Sequence, residues 1–244
     1  VNVSNGYDAP PAPRPTPPTW DRRDWLILAA ITLLGAVLRL YRLGEVPPGF
    51  QFDEAFNAID AKQVLAGNYP LFLPANGGRE ALYTYWQALF GAVLGVNVYS
   101  LRLASAIAGI LTIPASYLLL RRLLTRDSRA IAAFTSLTLA ISLWHIHFSR
   151  YGIRVITMPL ILSGAIGFFW LGGHAANRRW RLVSYVISGL LVGLTPWTHP
   201  AGRFVPFILV FYVIWMLWRR PSTRRWGIDS LVGGLAITGV VALV

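Results

Sequence analysis

The sequence has 244 residues, of which 55% are hydrophobic and only 13% are charged, and its net charge is +12. A soluble domain carries about 25% charged residues, so the composition excludes an ordinary soluble enzyme and predicts a polytopic membrane protein of all-α fold. Cysteine is absent, which excludes disulfides and thiolate chemistry. The basic residues stand at the ends of apolar runs, where topology signals belong, so we expect no nucleic-acid partner.

The chain begins with a proline-rich stretch without apolar periodicity, which predicts a disordered cytoplasmic tail over residues 1–22. Residues 23–244 are expected to form one transmembrane domain. The final apolar run reaches Val244 without a polar stop, which we interpret as the N-terminal portion of a longer protein. The apolar runs predict about seven spans, at residues 25–42, 100–120, 129–145, 155–174, 181–197, 203–218 and 228–244.

The segment after the first predicted span, residues 43–99, mixes polar and apolar residues and is expected to form the first outer loop. A short amphipathic helix is predicted from about Glu54 to Ala66, ended by Gly67 and Asn68. An irregular loop, NYPLFLPANGG, is expected to follow it.

The apolar, aromatic stretch Ala81–Gly95 is shorter than the roughly 20 residues that a span requires. If it does not cross the membrane, three later arginine clusters fall on the same side as Arg22 and Arg23, in agreement with the positive-inside rule. We therefore predict a helix at the outer interface. The clusters are Arg121/Arg122/Arg126/Arg129, Arg178/Arg179/Arg181 and Arg219/Arg220/Arg224/Arg225.

Two adjacent acids, Asp53 and Glu54, are the first candidates for chemistry. Adjacent side chains on a helix diverge by about 100°, so one acid can face a reaction centre while the other binds a metal or caps the helix. A carboxylate at the membrane rim can act as a general base. The structural alternative is that both acids complement the dipole at a helix start. The pair Arg79-Glu80 has the same two interpretations, as a lipid-phosphate contact or as a helix-start ion pair.

Two further polar segments, His145–Arg154 and Thr198–Arg203, are predicted on the outer side. Arg150 and Arg154 suit bidentate phosphate recognition, and snorkelling to lipid headgroups is the alternative. His145 and His147 are only two residues apart, a weak spacing for zinc. His199 and Arg203 can reach the same outer cavity, unless the segment is a simple Pro-Gly turn. The sequence contains no Walker A loop, GxSxG or HExxH motif, so we expect no soluble-nucleotide enzyme.

The stretches PPGFQFDEAFNAIDAKQVLAGNYP, ALYTYWQALFG, SLRLASAIAG and HFSRYGIRVITMP together resemble a known family over about residues 25–218. They are similar to the bacterial polyprenyl-phosphate-dependent glycosyltransferases of the GT-C fold, the family 39 group. This group includes relatives of protein O-mannosyltransferases and of lipid A aminoarabinose transferases.

The resemblance implies inverting transfer of a sugar from a polyprenyl-phosphate donor to a lipid, glycan or protein hydroxyl, on the outer face of the bacterial inner membrane. It implies that Asp53 is the catalytic acid, with Glu54 beside it. No cofactor is required with certainty, and a divalent metal on Asp53 and Glu54 is left open. The donor phosphate is expected on Arg79, Arg150 and Arg154, and the substrate cavity on Glu80, Tyr83, His147, Tyr151, His199 and Arg203.

The sequence departs from the family pattern in two places. Many members have a Lys-Pro pair where this chain has Arg79-Glu80, and some have an aspartate near Thr157-Met158-Pro159, which is missing here. Two alternatives to the enzyme therefore stay open at this point. One is a transporter or flippase of a lipid-linked or anionic substrate, which would use the same arginines. The other is an inactive, truncated membrane scaffold.

Overall fold

The computed structural model describes residues 19–219, which are almost entirely helical, so the predicted all-α class is confirmed. The predicted tail up to residue 18 and the predicted span at 228–244 lie outside the described residues. The described helices are α1 (Arg22–Leu40), α2 (Phe52–Leu65), α3 (Leu82–Leu94), α4 (Val98–Leu123), α5 (Ser128–Ile141), α6 (Leu143–Arg150), α7 (Thr157–His174), α8 (Arg178–Leu194) and α9 (Val205–Arg219). Short 3-10 turns cover Arg154–Ile156, Thr195–Trp197 and Pro200–Phe204.

Helices α1 and α4 each begin with a reciprocal polar cap. Asp21 caps α1 by accepting from the backbone N–H groups of Arg23 and Asp24, and the Asp24 side chain accepts in return from the backbone of Asp21. Asn97 and Ser100 form the same reciprocal pair at the start of α4. Such caps satisfy backbone donors that the first helical turn leaves unpaired.

Two of the described helical stretches are long and apolar enough to cross a membrane, namely α4 and the continuous stretch Arg154–His174. A third crossing is available if the pair α5 and α6, which are bent by 54° relative to each other, counts as one broken span. Membrane-spanning character is thus supported for at least two segments. The fuller count of seven spans stays a prediction.

The segment predicted as a span at residues 129–145 is not one continuous helix, because the chain breaks at Ser142, between α5 and α6. The buried guanidinium of Arg39 lies at this break. It donates to the backbone carbonyls of Leu139 and Ala140, at 3.2 and 2.9 Å, and contacts Nδ1 of His145 at 2.8 Å. Arg39 therefore satisfies carbonyls that the broken helix would otherwise leave unpaired in an apolar interior.

The loop after α2 contains a small antiparallel hairpin that the sequence did not indicate. Strand β1 (Phe72–Leu73) pairs with β2 (Arg79–Glu80), with Phe72 opposite Glu80 and Leu73 opposite Arg79. The hairpin leads directly into α3, and its strand β2 places Arg79 and Glu80 close to α2.

Helix α4 lies at the centre of the described fold and packs against α1, α3, α5, α6 and α7. On one side, Ile113 and Tyr117 of α4 contact apolar residues of α1 and α5. At its N-terminal end, Leu101 joins a core formed with α2 and α3. The predicted first outer loop therefore packs on the same helix that organises the bundle.

Candidate active site

Asp53 lies in the first turn of α2 with its side chain exposed, at the edge of a cavity of about 120 Å³. Its Oδ1 accepts a 2.6 Å hydrogen bond from Nδ2 of Asn76, which belongs to the turn between β1 and β2. Two arginines share this cavity with the carboxylate. The lining residues are Asp53, Asn57, Asn76, Arg79, Ile153 and Arg154.

Glu54 points away from Asp53 and is completely buried. Its two carboxylate oxygens accept from Nε and Nη2 of Arg102, at 2.8 and 3.0 Å. Oε1 also accepts from the backbone N–H of Gly152 at 3.1 Å, and Oε2 from that of Gln51 at 3.1 Å. The helical spacing correctly predicts that the two acids diverge, and here Glu54 links α2, α4 and the second outer segment.

This arrangement does not fit a metal ion shared by Asp53 and Glu54, because such an ion would have to displace Arg102 from both oxygens of Glu54. A calcium or zinc ion bound by the protein needs several oxygen or nitrogen ligands from it. Among residues 19–219 no group of three or more His, Asp or Glu side chains is placed to supply them.

Arg79 reaches the cavity from β2 and is held there by α2. Its Nη1 donates to Oδ1 of Asn57, its Nη2 pairs with Oδ2 of Asp60, and its guanidinium lies 5.7 Å from the centre of the Phe56 ring. The side chain is 7% exposed, so α2 fixes both its position and its direction. Asp53, Asn57 and Asp60 follow one another at helical spacings of four and three residues, which places them on one face of α2.

Glu80 connects the three predicted outer segments. Its Oε2 lies 3.1 Å from Nη1 of Arg154, and its Oε1 accepts from Nη2 of Arg203 at 3.2 Å. Glu80 belongs to the first outer segment, Arg154 to the second and Arg203 to the third. The structure therefore brings together one predicted phosphate contact, Arg154, and two predicted cavity residues, Glu80 and Arg203, although only Arg154 lines the Asp53 cavity.

Arg150, in contrast, is not brought to the cavity. Its Nη1 donates to the carbonyls of Leu38 and Arg39, at 3.0 and 3.1 Å, and its Nη2 to those of Tyr41 and Val46, at 2.7 and 2.8 Å. These four bonds cap the C-terminal end of α1 and the loop behind it, and they occupy both terminal nitrogens. The geometry thus does not support the prediction that Arg150 holds the donor phosphate, because Arg150 does not line the Asp53 cavity.

The remaining predicted cavity residues have separate surroundings. Tyr83 is buried against Oγ of Ser105, and burial raises the pKa of its hydroxyl. Tyr151 accepts from Nε2 of Gln51 at 3.1 Å, and the exposed ring of His147 lies 4.5 Å from its ring. The side chain of His199 accepts from the backbone N–H of Ala201 at 3.2 Å, which starts a 3-10 turn. The structure does not place any of these four side chains in the cavity that Asp53 lines.

Four further residues help to build the site and were not predicted: Arg102, Asn57, Asp60 and Asn76. A signal existed for Arg102, because an arginine in the apolar start of a span requires a partner, and Glu54 is that partner. Helical spacing from Asp53 could have identified Asn57 and Asp60. Asn76 carries no such signal, because its position depends on how the hairpin folds back over α2.

Most of this sequence matches the model of a known protein family. Residues 61–243 match the model of the family "Dolichyl-phosphate-mannose-protein mannosyltransferase". The chain is 30% identical, over 78% of its length, to an undecaprenyl phosphate-alpha-4-amino-4-deoxy-L-arabinose arabinosyl transferase of Pseudomonas paraeruginosa, and 25% identical over 90% to the enzyme of that name in Edwardsiella ictaluri. It spans only about a third of the length of these curated relatives, since 34% and 38% of them are covered.

Two solved structures have the same fold. The S. cerevisiae protein O-mannosyltransferase Pmt1-Pmt2 complex bound to the sugar donor matches 93% of this chain and 33% of the matched chain, with a TM-score of 0.74 at 18% identity. ArnT from Cupriavidus metallidurans in the apo state matches 91% of this chain and 42% of its own, with a TM-score of 0.59 at 19% identity. On the match over residues 61–243, this chain belongs to the dolichyl-phosphate-mannose-protein mannosyltransferase family.

Proposed function

We propose that the complete protein is a membrane glycosyltransferase that moves a sugar from a polyprenyl-phosphate donor to a hydroxyl of a lipid, glycan or protein acceptor. One observation carries the proposal: the exposed carboxylate of Asp53 shares a cavity with the guanidinium groups of Arg79 and Arg154. A base and two cations in one cavity suit a reaction that removes a proton and releases a phosphate. The names of the relatives support the donor class.

In the proposed reaction Asp53 accepts the proton of the acceptor hydroxyl. The hydroxyl oxygen then forms a bond to the anomeric carbon of the sugar, opposite the phosphate. The bond between the anomeric carbon and the phosphate oxygen breaks, the electron pair leaves with the polyprenyl phosphate, and the anomeric configuration inverts. An exposed carboxylate on a rigid helical turn is suited to this proton transfer, because the helix fixes its position relative to the bound sugar.

Arg154 is the proposed main contact for the leaving phosphate. Among the described residues, Glu80 engages only its Nη1, so Nε and Nη2 have donors to offer to a phosphate. Arg79 adds positive charge but is held by Asn57 and Asp60. We therefore assign it a fixed electrostatic role, which stabilises developing negative charge without moving.

We further propose that the described segments adopt the predicted topology, with the N-terminus in the cytoplasm and the Asp53 cavity on the outer face of the bacterial inner membrane. The basic clusters at Arg121/Arg122 and Arg178/Arg179 support this orientation if α3 does not cross. The length of α3, 13 residues, supports a helix that lies at the interface, because a span needs about 20.

The test compares three forms of the complete protein in proteoliposomes: wild type, Asp53→Asn and Asp127→Asn. Asp127 is an exposed aspartate at the far end of α4, with φ 50°, a backbone conformation that asparagine also tolerates. The probes are undecaprenyl phosphate-linked 4-amino-4-deoxy-L-arabinose and dolichyl phosphate-linked mannose, each supplied with bacterial envelope lipids, glycans and proteins as acceptors, and the measurement is release of the polyprenyl phosphate. We expect Asp53→Asn to lose roughly 100-fold or more in rate, as for a general base, and Asp127→Asn to match wild type.

Two results would overturn the proposal. If Asp53→Asn keeps the wild-type rate, Asp53 is not the base. If wild type binds neither probe and releases polyprenyl phosphate from neither when acceptors are present, the donor class is wrong.

A further inference from the structure

The turn between β1 and β2 closes one side of the Asp53 cavity. At its tip, Nδ2 of Asn76 donates to Oδ1 of Asp53 at 2.6 Å, although the two residues are 23 positions apart. Asn76 is half-buried and lines the same cavity as Arg79 and Arg154. The contact therefore lies at the exposed edge of the cavity, and both of its partners line it.

The local backbone is suited to presenting this amide. Asn76, Gly77 and Gly78 have φ values of 54°, 78° and 82°, in the left-handed region that asparagine and glycine tolerate best. A Cβ on Gly78 would lie 2.7 Å from the exposed ring of Phe72, so a larger residue there would displace that ring. The sequence Asn-Gly-Gly thus encodes a tight turn whose side chain points back over α2.

The hydrogen bond from Asn76 fixes the orientation of the Asp53 carboxylate. It engages Oδ1, and among residues 19–219 the structure gives no hydrogen-bond partner to Oδ2 of Asp53. One oxygen is held and the other stays open to the cavity. An amide donor is neutral, so it can orient a carboxylate without forming the stronger, charge-assisted pair that an arginine would make.

We propose that Asn76 is a positioning residue, which holds the carboxylate of Asp53 so that Oδ2 faces the acceptor hydroxyl. This inference rests on the proposed function of Asp53 as the general base. Asn76 itself would not contact the reacting atoms, and its effect would pass entirely through Asp53. Correct orientation of a base is a recognised source of rate, because a misplaced group loses its proton-transfer geometry.

The test uses two substitutions that keep the backbone conformation. Asn76→Gly removes the amide and tolerates positive φ, and Asn76→Asp keeps the shape but places a second carboxylate against Asp53. Asn68→Gly is the matched control, since Asn68 is an exposed asparagine of the same loop that lies outside the cavity. Each variant of the complete protein is assayed with the two donor probes above, and its thermal unfolding is measured in detergent.

We expect Asn76→Gly to lower kcat by roughly tenfold, the effect of losing one hydrogen bond to a charged group. Asn76→Asp should lower it further, because two carboxylates repel. The KM for the donor should stay within about twofold in both variants, because the donor phosphate is bound elsewhere. Asn68→Gly should retain wild-type kcat, and unfolding temperatures should not change.

A wild-type or raised kcat in Asn76→Gly would overturn the inference, and a raised value would mean that the contact is inhibitory. A parallel loss of kcat and of unfolding temperature would also overturn it, since the role would then be structural. The Asp53→Asn variant in the same assay separates the two proposals. If Asp53→Asn is active, the proposed function fails, whereas an inactive Asp53→Asn with a normal Asn76→Gly defeats only the inference on Asn76.

Discussion

Glu54 and Arg102 form a bidentate ion pair whose side chains are 0% and 1% exposed. The guanidinium also donates to the carbonyls of Pro47 and Gly49, at 2.8 and 2.7 Å, so this pair fixes the loop that precedes α2. Because Asp53 is the neighbour of Glu54 in the first turn of α2, the same pair sets where the proposed base stands. A buried structural pair and an exposed reactive acid are thus adjacent in the sequence.

We predict that Glu54→Gln destabilises the complete protein by about 3–5 kcal/mol, because it leaves the buried charge of Arg102 without its partner. The measurement is thermal unfolding in detergent. The double variant Glu54→Met with Arg102→Met should lose less than the sum of its single variants, since it removes both charges together.

The exposed pair Arg42 and Glu45 provides the control. Their side chains are 56% and 63% exposed, so Glu45→Gln should leave the unfolding temperature almost unchanged, as expected for a solvated ion pair. If Glu54→Gln is as mild as Glu45→Gln, the buried pair does not hold the loop.

Arg150 and Arg154 should behave differently when each is replaced by alanine. Arg150→Ala leaves four backbone carbonyls around the end of α1 without a donor, so we expect a loss of stability of about 1–3 kcal/mol or more. Arg154→Ala should cost less stability than Arg150→Ala, because Arg203 still pairs with Glu80. It should raise the donor KM by roughly tenfold or more, because charge-assisted bonds to the phosphate are lost.

Unfolding temperatures and donor titrations on the two variants give the answer. The opposite pattern, in which Arg150→Ala alone weakens donor binding, would restore Arg150 as the phosphate contact and remove that role from Arg154.

The contrast between these two arginines explains what the sequence can and cannot predict. Apolar runs and capping residues are local, and they predicted α1, α2, α3 and α4 to within a few residues. The tertiary partner of an arginine is not local: Arg150 meets Leu38 across 112 positions. Arg150 and Arg154 lie four positions apart in one short segment and have the same chemistry. Only the fold decides which of them reaches the cavity.

The missed break at Ser142 has a similar origin. No proline or glycine marks it in the sequence, and the apolar run continues through it. The break is tolerated because Arg39, about 100 positions earlier, donates to carbonyls at the end of α5. A helix can break where a side chain from a distant part of the sequence donates hydrogen bonds to the carbonyls that the break leaves free. The local sequence pattern does not contain this information.

Gly109 of α4 allows α6 to approach closely, and it provides a further prediction. A Cβ on this residue would lie 2.1 Å from Oγ and 2.8 Å from Cβ of Ser149. Ser149 also accepts from Nε of Arg39 at 3.1 Å, so it cannot move away freely. We expect Gly109→Ala to destabilise the protein by about 1–3 kcal/mol, the usual cost of overpacking.

Gly167→Ala in α7 is the matched control. Its Cβ would meet only the Leu119 side chain, at 3.8 Å, an ordinary contact. Alanine is a better helix former than glycine, so this variant should be neutral or slightly stabilising. Equal unfolding temperatures for the two variants would show that α4 and α6 do not pack as closely as described.

The absence of cysteine from the sequence allows a direct test of whether α3 crosses the membrane. Single cysteines are placed at Asn68 before α3, at Tyr99 after it and at Arg126 beyond α4, three positions whose side chains are exposed. A membrane-impermeant maleimide is then applied to intact spheroplasts, with permeabilised cells as the reference for full labelling.

If α3 lies at the outer interface, Asn68→Cys and Tyr99→Cys are both labelled from outside. Arg126→Cys should be protected until permeabilisation, because α4 is long enough to cross. A crossing α3 would instead place the cysteines at 68 and 99 on opposite sides. That result would also reverse every later basic cluster against the positive-inside rule, and it would remove the topological support for a cavity assembled from three outer segments.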